Sequence, residues 1–449
     1  MRKKIVCFLS VLMTVWLLLP QGAFAASFQI DFDTACDAIQ LVNLDTGTVV
    51  YEKNPDKHRG PASTTKIMTY IVVYENVEDP ENTTVTISEK IRDELLGTGS
   101  SLSGIQVGDV LTVSQLLRCM MIPSGNDAAL ALADFVGGGD VQKFVDMMNE
   151  KAAELGCTDT HFTNPHGLHD DEHYTTARDL AVITQYAMML PEFMDITNTT
   201  NIYYKPAGGP AADEKRLLVT TNRLIHKTLD PQYYYQYAQG IKTGSHDQAG
   251  YCLVSTAKKN GLSYLCVALG APSVDENGNR ITAHGECSDS INLYNWAFDN
   301  LGFRTIADAD DAVTEIELRF AWNKDTLLLV PQESYTTILP DDISSSSILA
   351  TPDIPEYIEA PVKKGDVIGT VTYSYADQTL ATLNLVAGES VERSELLKSA
   401  STVKDIVTSS WFLTIVGIIL FLLFVYLILA LIYNRKKKKL RKVRKYKNM

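Results

Sequence analysis

Pro61-Ala62-Ser63-Thr64-Thr65-Lys66-Ile67-Met68-Thr69 opens an apolar run that continues to Tyr74, and it predicts a helix over 64–74 with a Ser-x-x-Lys at its head. Residues three apart on a helix share a face, so the Lys66 amine can reach the Ser63 hydroxyl. The helix N-terminus favours negative charge on Ser63, and desolvation or a neighbouring cation makes Lys66 a neutral base. That is a nucleophile with its base. The pattern alone is cheap, arising by chance about once or twice in a chain of this length. Ser255 to Lys258 also matches, but in a strand-like run where positions three apart face opposite ways. Ser401 to Lys404 matches in a polar stretch beside a long apolar segment, with no folded cleft at hand.

Outward from this helix, residues 38–53 alternate on either side of Leu44-Asp45-Thr46-Gly47 and read as a β-hairpin. Helical patterns follow at 113–121, 126–136, 141–155 and 176–189, then a weak strand at 217–220 and clear strands at 251–257 and 262–269 around the turn Lys258-Lys259-Asn260-Gly261. Strands, then helices, then strands again predict one α/β (α+β) domain over 27–305 whose sheet closes with the late strands. From 306 to 393 the texture becomes short alternating runs broken by Pro, Gly, Asp and Ser, which predicts a small, sandwich-like all-β domain. Residues 394–410 read as a polar stalk.

Both ends are addressed to a membrane. Arg2-Lys3-Lys4, the apolar run Ile5 to Leu19 and Ala23-Phe24-Ala25 are the three regions of a secretory signal peptide, 1–26, cleaved after Ala25 or Ala26. The 23 residues from Trp411 to Tyr433 carry no charge. As a helix they reach about 35 Å, enough to cross a bilayer. The basic tail 434–449 that follows places this end in the cytoplasm and the body outside. The formal charge of −14 therefore understates the acidity of the body, because the first 26 residues hold three basic groups, the last sixteen hold ten, and neither holds an acid. So acidic a body repels a phosphate backbone, which argues against nucleic acid as a partner. Six cysteines remain after Cys7 leaves with the signal peptide. None forms a Cys-x-x-Cys, so a zinc knuckle or redox motif has no support. His161, His166, His169 and His173, with Asp170 to Glu172 among them, lack the His-x-x-x-His spacing of a zinc-hydrolase helix, and no metal is expected there.

Two further motifs complete a set. Ser124-Gly125-Asn126 falls between the helices ending near 121 and beginning near 127, where a turn with an N-cap is the plain alternative. Lys242-Thr243-Gly244 precedes the strand at Tyr251, where the alternative is an edge-strand turn. Ser-x-x-Lys, Ser-x-Asn and Lys-Thr-Gly, in this order and spaced 61 and 118 residues apart, resemble the active-site signature of penicillin-binding proteins and serine β-lactamases. The chain is similar in particular to the low-molecular-weight penicillin-binding proteins, the D-alanyl-D-alanine carboxypeptidases. Leu44-Asp45-Thr46-Gly47, Tyr51-Glu52-Lys53-Asn54, Ser124 to Ala129, Thr163-Asn164-Pro165-His166-Gly167-Leu168, Thr176-Ala177-Arg178-Asp179 and Gly240 to Gly244 carry that likeness over about 35–300. Gly365-Asp366-Val367-Ile368-Gly369 extends it into the β domain.

The resemblance implies the penicillin-binding, β-lactamase-like fold and an acyl-enzyme mechanism without a cofactor. Ser63 attacks the carbonyl between the last two D-alanines of a peptidoglycan stem peptide and Lys66 takes its proton. Ser124 passes the proton to the leaving D-alanine, Asn126 holds the peptide amide, Lys242 and Thr243 bind the terminal carboxylate, and the backbone N–H groups of Ser63 and Ser245, beyond Gly244, form the oxyanion hole. β-Lactam antibiotics are the implied covalent inhibitors. Two positions depart from the pattern: Ser245 stands where several relatives have His, and Gly270-Ala271-Pro272-Ser273 lacks an arginine. Arg178 is open to a role near the site or to a structural ion pair. The rival readings are a serine β-lactamase, which lacks its Glu-x-x-Leu-Asn segment here, a wall-binding or β-lactam-sensing protein without catalysis, and an endopeptidase cutting crosslinks.

Overall fold

The three sequence motifs gather at one edge of a five-stranded sheet. In a computed structural model, residues 28–344, 347–375 and 378–447 are described; the signal peptide expected at 1–26 lies outside them. The sheet is built from β1 (Ala38–Asn43), β2 (Val49–Lys53), β3 (Ala238–His246), β4 (Gly250–Lys259) and β5 (Leu262–Ala271), in the order β2-β1-β5-β4-β3, with every pair antiparallel. The hairpin at 38–53 forms where the alternation predicts it, with Ile39 opposite Lys53 and Leu41 opposite Tyr51.

Alternation along the central strands sorts the side chains into two cores. Leu265, Val267 and Leu269 of β5 join the larger apolar cluster, while Leu262, Tyr264, Cys266 and Ala268 join the second. Covered on both faces, these strands read as nearly continuous apolar runs. The larger cluster is closed by α1 (Lys66–Asn76), α2 (Val113–Met121), α3 (Asn126–Val136), α4 (Val141–Glu154) and α5 (Ala177–Met188). The second is closed by α6 (Gly285–Asn300) through Leu293, Tyr294 and Ala297. Burying side chains of this size contributes about 1.5–3 kcal/mol each.

Helices α2 and α3 have the predicted bounds. A Thr112–Gln115 capping box starts α2, each side chain bonding the other's backbone N–H at 3.1 Å. No pattern announces α6, because Glu286, Asp289 and Ser290 are buried on it and break its apolar stripe. They are there for partners: Asp289 accepts the N–H groups of Ala35 and Cys36 at 3.1 and 2.7 Å, and Ser290 donates to the Glu286 carbonyl at 2.7 Å.

The chain divides into two compact units. The first holds residues up to Thr305 together with Thr336–Ser347; the second holds Ile306–Tyr335 and everything from Ile348. The return segment at 336–347 lies within the stretch read as the all-β domain. Its Ile338 is fully buried in the second core cluster, and Thr337 shares a 3.1 Å hydrogen bond with Thr48. In the second unit a six-stranded sheet runs in the order 349–353, 367–375, 378–387, 326–331, 314–319, 357–359. The stretch read as a polar stalk contains a helix, α7 (Glu395–Thr408), capped by the Ser394 hydroxyl accepting from Leu397 N–H at 3.3 Å. Then α8 (Ser410–Lys447) contains 28 residues, Ser410–Lys437, long and apolar enough to cross a membrane, with a peak mean hydropathy of 3.3.

Candidate active site

Ser63 lies in a single 3₁₀ turn, Ala62–Thr65, that leads directly into α1. Lys66, the first residue of α1, is fully buried. Its Nζ lies 2.9 Å from Ser63 Oγ, 2.6 Å from Asn126 Oδ1 and 2.8 Å from the His166 carbonyl oxygen. Burial pulls the amine well below its ordinary pKa, reinforced by the charge of Lys242 and opposed by Asp127. For the neutral amine that this shift favours, the hydrogen-bond inventory gives a direction. A neutral amine keeps two protons and one lone pair. Asn126 Oδ1 and the His166 carbonyl can only accept, so they take the two protons. Of the three partners, only the Ser63 hydroxyl can donate to the lone pair.

Ser124 and Asn126 come from the connection between α2 and α3. Ser124 has φ +64°, a left-handed conformation that side chains rarely adopt, and the helix N-cap is Gly125 without a capping side chain. The turn is therefore not the N-cap that competed with the motif reading. Among the described residues, the Ser124 hydroxyl has no hydrogen-bond partner. Asp127 anchors the same turn, accepting from the N–H and hydroxyl of Ser103 and from Gly104 N–H at 2.9–3.2 Å, while Asn126 N–H reaches the Ser101 carbonyl at 2.8 Å.

Lys242, Thr243, Gly244 and Ser245 all lie within β3, the edge strand, so Lys-Thr-Gly is not a turn before a strand but part of one. Lys242 is buried and donates to the carbonyl of Thr243 at 2.9 Å; desolvation brings its pKa down to about 7. Thr243 Oγ1 is 2.5 Å from Thr221 Oγ1. Asn222 braces the strand from behind, its Nδ2 donating to the Gly240 carbonyl at 2.6 Å. Gly244 is required by proximity, since a Cβ there would lie 2.9 Å from the Pro61 carbonyl oxygen and 3.0 Å from Ser63 N. Ser245 is exposed on the same strand.

Three motifs far apart in sequence thus meet around Ser63. The D-alanyl-D-alanine carboxypeptidase family model matches residues 24–273, more than half of the chain. The chain belongs to the D-alanyl-D-alanine carboxypeptidase family. A second model, the C-terminal domain of penicillin-binding protein 5, matches residues 303–393. Among named carboxypeptidases of the family, DacF of Bacillus subtilis is 29% identical over 79% of this chain and 85% of its own length, and DacA of Escherichia coli is 30% identical over 77% and 81%. Penicillin-binding protein 5 of Haemophilus influenzae superposes with a TM-score of 0.62 at 28% identity, covering 82% of this chain and all of that one. A Streptomyces DD-transpeptidase superposes with a TM-score of 0.54 at 32% identity over 60% of this chain and all of its own.

Other residues singled out in the sequence lie elsewhere or act structurally. Ser255 shares a 2.9 Å hydrogen bond with Tyr294 in the core, and Ser401 and Lys404 lie on α7. Arg178 is in an ion pair with Asp56 at 2.6 Å and a longer one with Glu52. Arg59 lies against Gly270, where an arginine is missing, but pairs with Asp37 at 3.1 Å. The described residues contain no group of three or more His, Cys, Asp or Glu side chains placed to hold a metal, and the six described cysteines are buried and free. The sequence did not reveal the carbonyl of His166 as a ligand of Lys66, nor Thr221 beside Thr243. A backbone carbonyl leaves no residue signature, and a threonine 22 positions away has no local pattern to mark it.

Proposed function

We propose that this chain is a membrane-anchored serine D-alanyl-D-alanine carboxypeptidase that removes the terminal D-alanine from peptidoglycan pentapeptide stems through an acyl-enzyme on Ser63, and that β-lactams acylate the same hydroxyl. One observation carries this reading: Lys66 is a buried amine whose two acceptor-only partners leave its lone pair for Ser63. Ser63 Oγ attacks the penultimate D-alanine carbonyl as its proton passes to Lys66. The oxyanion forms against the N–H groups of Ser63 and Ser245, which the close approach of Gly244 to Ser63 supports. Ser124 delivers a proton to the departing amine and takes in its place the proton that Lys66 received from Ser63. Lys242 and Thr243 hold the terminal carboxylate, and Asn126, on the acyl side, holds the peptide amide. Water then adds to the ester, the stem leaves shortened by one residue, and the Ser63 proton is restored.

An extended substrate lying along edge strand β3 runs from Lys242 toward His246, four residues or about 13 Å farther on. There a cavity of about 320 Å³, lined in part by Gly60, His169 and His246, has room for the stem that carries the acyl group. The span at 410–437 anchors the chain, with its basic end in the cytoplasm and the catalytic unit outside. Release of D-alanine from a peptide ending in D-alanyl-D-alanine, measured with the full chain in detergent, tests the reading. Wild type releases it and Ser63→Ala does not; release by Ser63→Ala at the wild-type rate contradicts it.

A further inference from the structure

Thr65, between the two residues of the Ser-x-x-Lys pair that react, is fully buried and has two partners: the Ala62 carbonyl oxygen at 2.7 Å and His173 Nε2 at 2.8 Å. Donors and acceptors fix the direction of this chain. Thr163 N–H donates to His173 Nδ1 at 2.9 Å, so the neutral ring carries its proton on Nε2 and gives it to Thr65 Oγ1. The Thr65 proton then goes to the Ala62 carbonyl, which can only accept. A hydroxyl bonded to a carbonyl three residues back is ordinary in a first helical turn, and neighbouring Thr64 makes one to Pro61 at 2.6 Å with no histidine behind it. Thr65 differs in having a buried ring fixed behind its hydroxyl.

The carbonyl at the end of this chain belongs to a strained residue. Ala62 has φ +47°, unfavourable for any residue with a Cβ, and it immediately precedes Ser63. The loop that carries His173 also crowds it: Gly167 has φ +88°, and a Cβ there would overlap the Ala62 carbonyl. Resting on the reading of Ser63 as nucleophile, we propose that His173 and Thr65 are positioning residues, holding the Ala62–Ser63 peptide in its strained turn so that Ser63 Oγ meets Lys66 and Ser63 N–H stays beside Gly244. No proton travels along this chain during the reaction; the His173 ring keeps its Nε2 proton throughout.

The test compares penicillin acylation rates, kcat and KM of the full chain in detergent for Thr65→Val, Thr65→Ser, His173→Phe and the double variant Thr65→Val/His173→Phe, with Tm measured for each. Each of the two single removals lowers acylation and kcat about 10- to 100-fold, the range expected when a nucleophile is displaced by a fraction of an ångström to an ångström, while KM moves by less than about threefold. The double variant loses no more than the worse single one, because both cut one chain. Thr65→Ser, which keeps the hydroxyl, stays within about threefold of wild type and decides the question even if Thr65→Val does not fold: a loss as large as that of His173→Phe overturns the proposal. So does a folded Thr65→Val with wild-type acylation, or losses that multiply in the double variant. Ser63→Ala, run alongside, separates the cases. Activity in that variant sinks the nucleophile reading itself, whereas failure of the Thr65 and His173 outcomes with an inactive Ser63→Ala sinks only the positioning role.

Discussion

Lys66 and Lys242 are both buried amines, and the proposed mechanism uses them in opposite protonation states. The proposed base role of Lys66 requires a neutral amine, and burial together with Lys242 favours that form by pulling its pKa well down. Lys66→Arg keeps the charge but cannot shed it, so penicillin acylation falls by about 10²- to 10⁴-fold, as measured by stopped-flow or gel readout. In the same proposed mechanism Lys242 is the cation that meets the substrate carboxylate, and desolvation brings its pKa down to about 7 in the folded chain. Affinity for a peptide with a free C-terminal carboxylate therefore weakens as pH rises above about 7, whereas a C-terminally amidated peptide shows little such dependence; KM against pH for the two peptides is the check. Stability runs the other way. Between about 7 and the ordinary lysine pKa the unfolded chain binds a proton that the folded chain does not, so this group's destabilisation is greatest at and below pH 7 and is relieved as pH rises. Lys242→Met should raise Tm by several degrees at pH 6–7, with the gain shrinking toward pH 10. The residue types of this site were legible in the sequence because Ser, Lys, Ser, Asn and Lys recur in a fixed order. What surrounds them was not, since the partners of Lys66 include a carbonyl of His166 and those of Thr65 a ring 108 positions away.

The segment 163–173 is a second element of the candidate site, bolted to the 3₁₀ turn through Thr65 and to α1 through Lys66 and Thr69, whose hydroxyl reaches the Pro165 carbonyl at 2.5 Å. His166 and His173 in it are buried, and desolvation brings both pKa values down to about 3. Between about pH 6.5 and 3 the unfolded chain binds protons at both positions and the folded chain does not, so stability is full above pH 6.5 and is lost as pH falls through this window. Urea unfolding as a function of pH should show an uptake of about two protons from this pair, reduced by about one in His173→Phe. Gly167→Ala should destabilise the protein by about 2–4 kcal/mol, because it adds a Cβ at positive φ against the Ala62 carbonyl; thermal or urea unfolding measures it. At this scale α2 and α3 were readable from apolar periodicity and from the cap at Thr112, whereas α6 was hidden by buried polar residues and β3 by its glycines and its charged Lys242.

At the scale of the whole molecule, the unit that carries Ser63 is completed by a segment beyond residue 305. Thr336–Ser347 belongs to that unit, and Ile338 fills its second core. A chain ending at 305 should therefore be less stable by about 2–4 kcal/mol than one ending at 393, a difference that comparative urea melts of the two would show. Composition could mark the change of texture near 305, but nothing in the alternation of 335–340 distinguishes a strand of the β unit from one that returns. The apolar span, by contrast, was plain from the sequence, because 23 uncharged residues in a row have few other uses. The most direct test of the central claim is the intact and peptide mass of the full chain after brief exposure to penicillin. The account predicts one penicilloyl group, carried by the peptide containing Ser63 and absent from Ser63→Ala; no adduct, or an adduct on another residue with Ser63 unmodified, contradicts it.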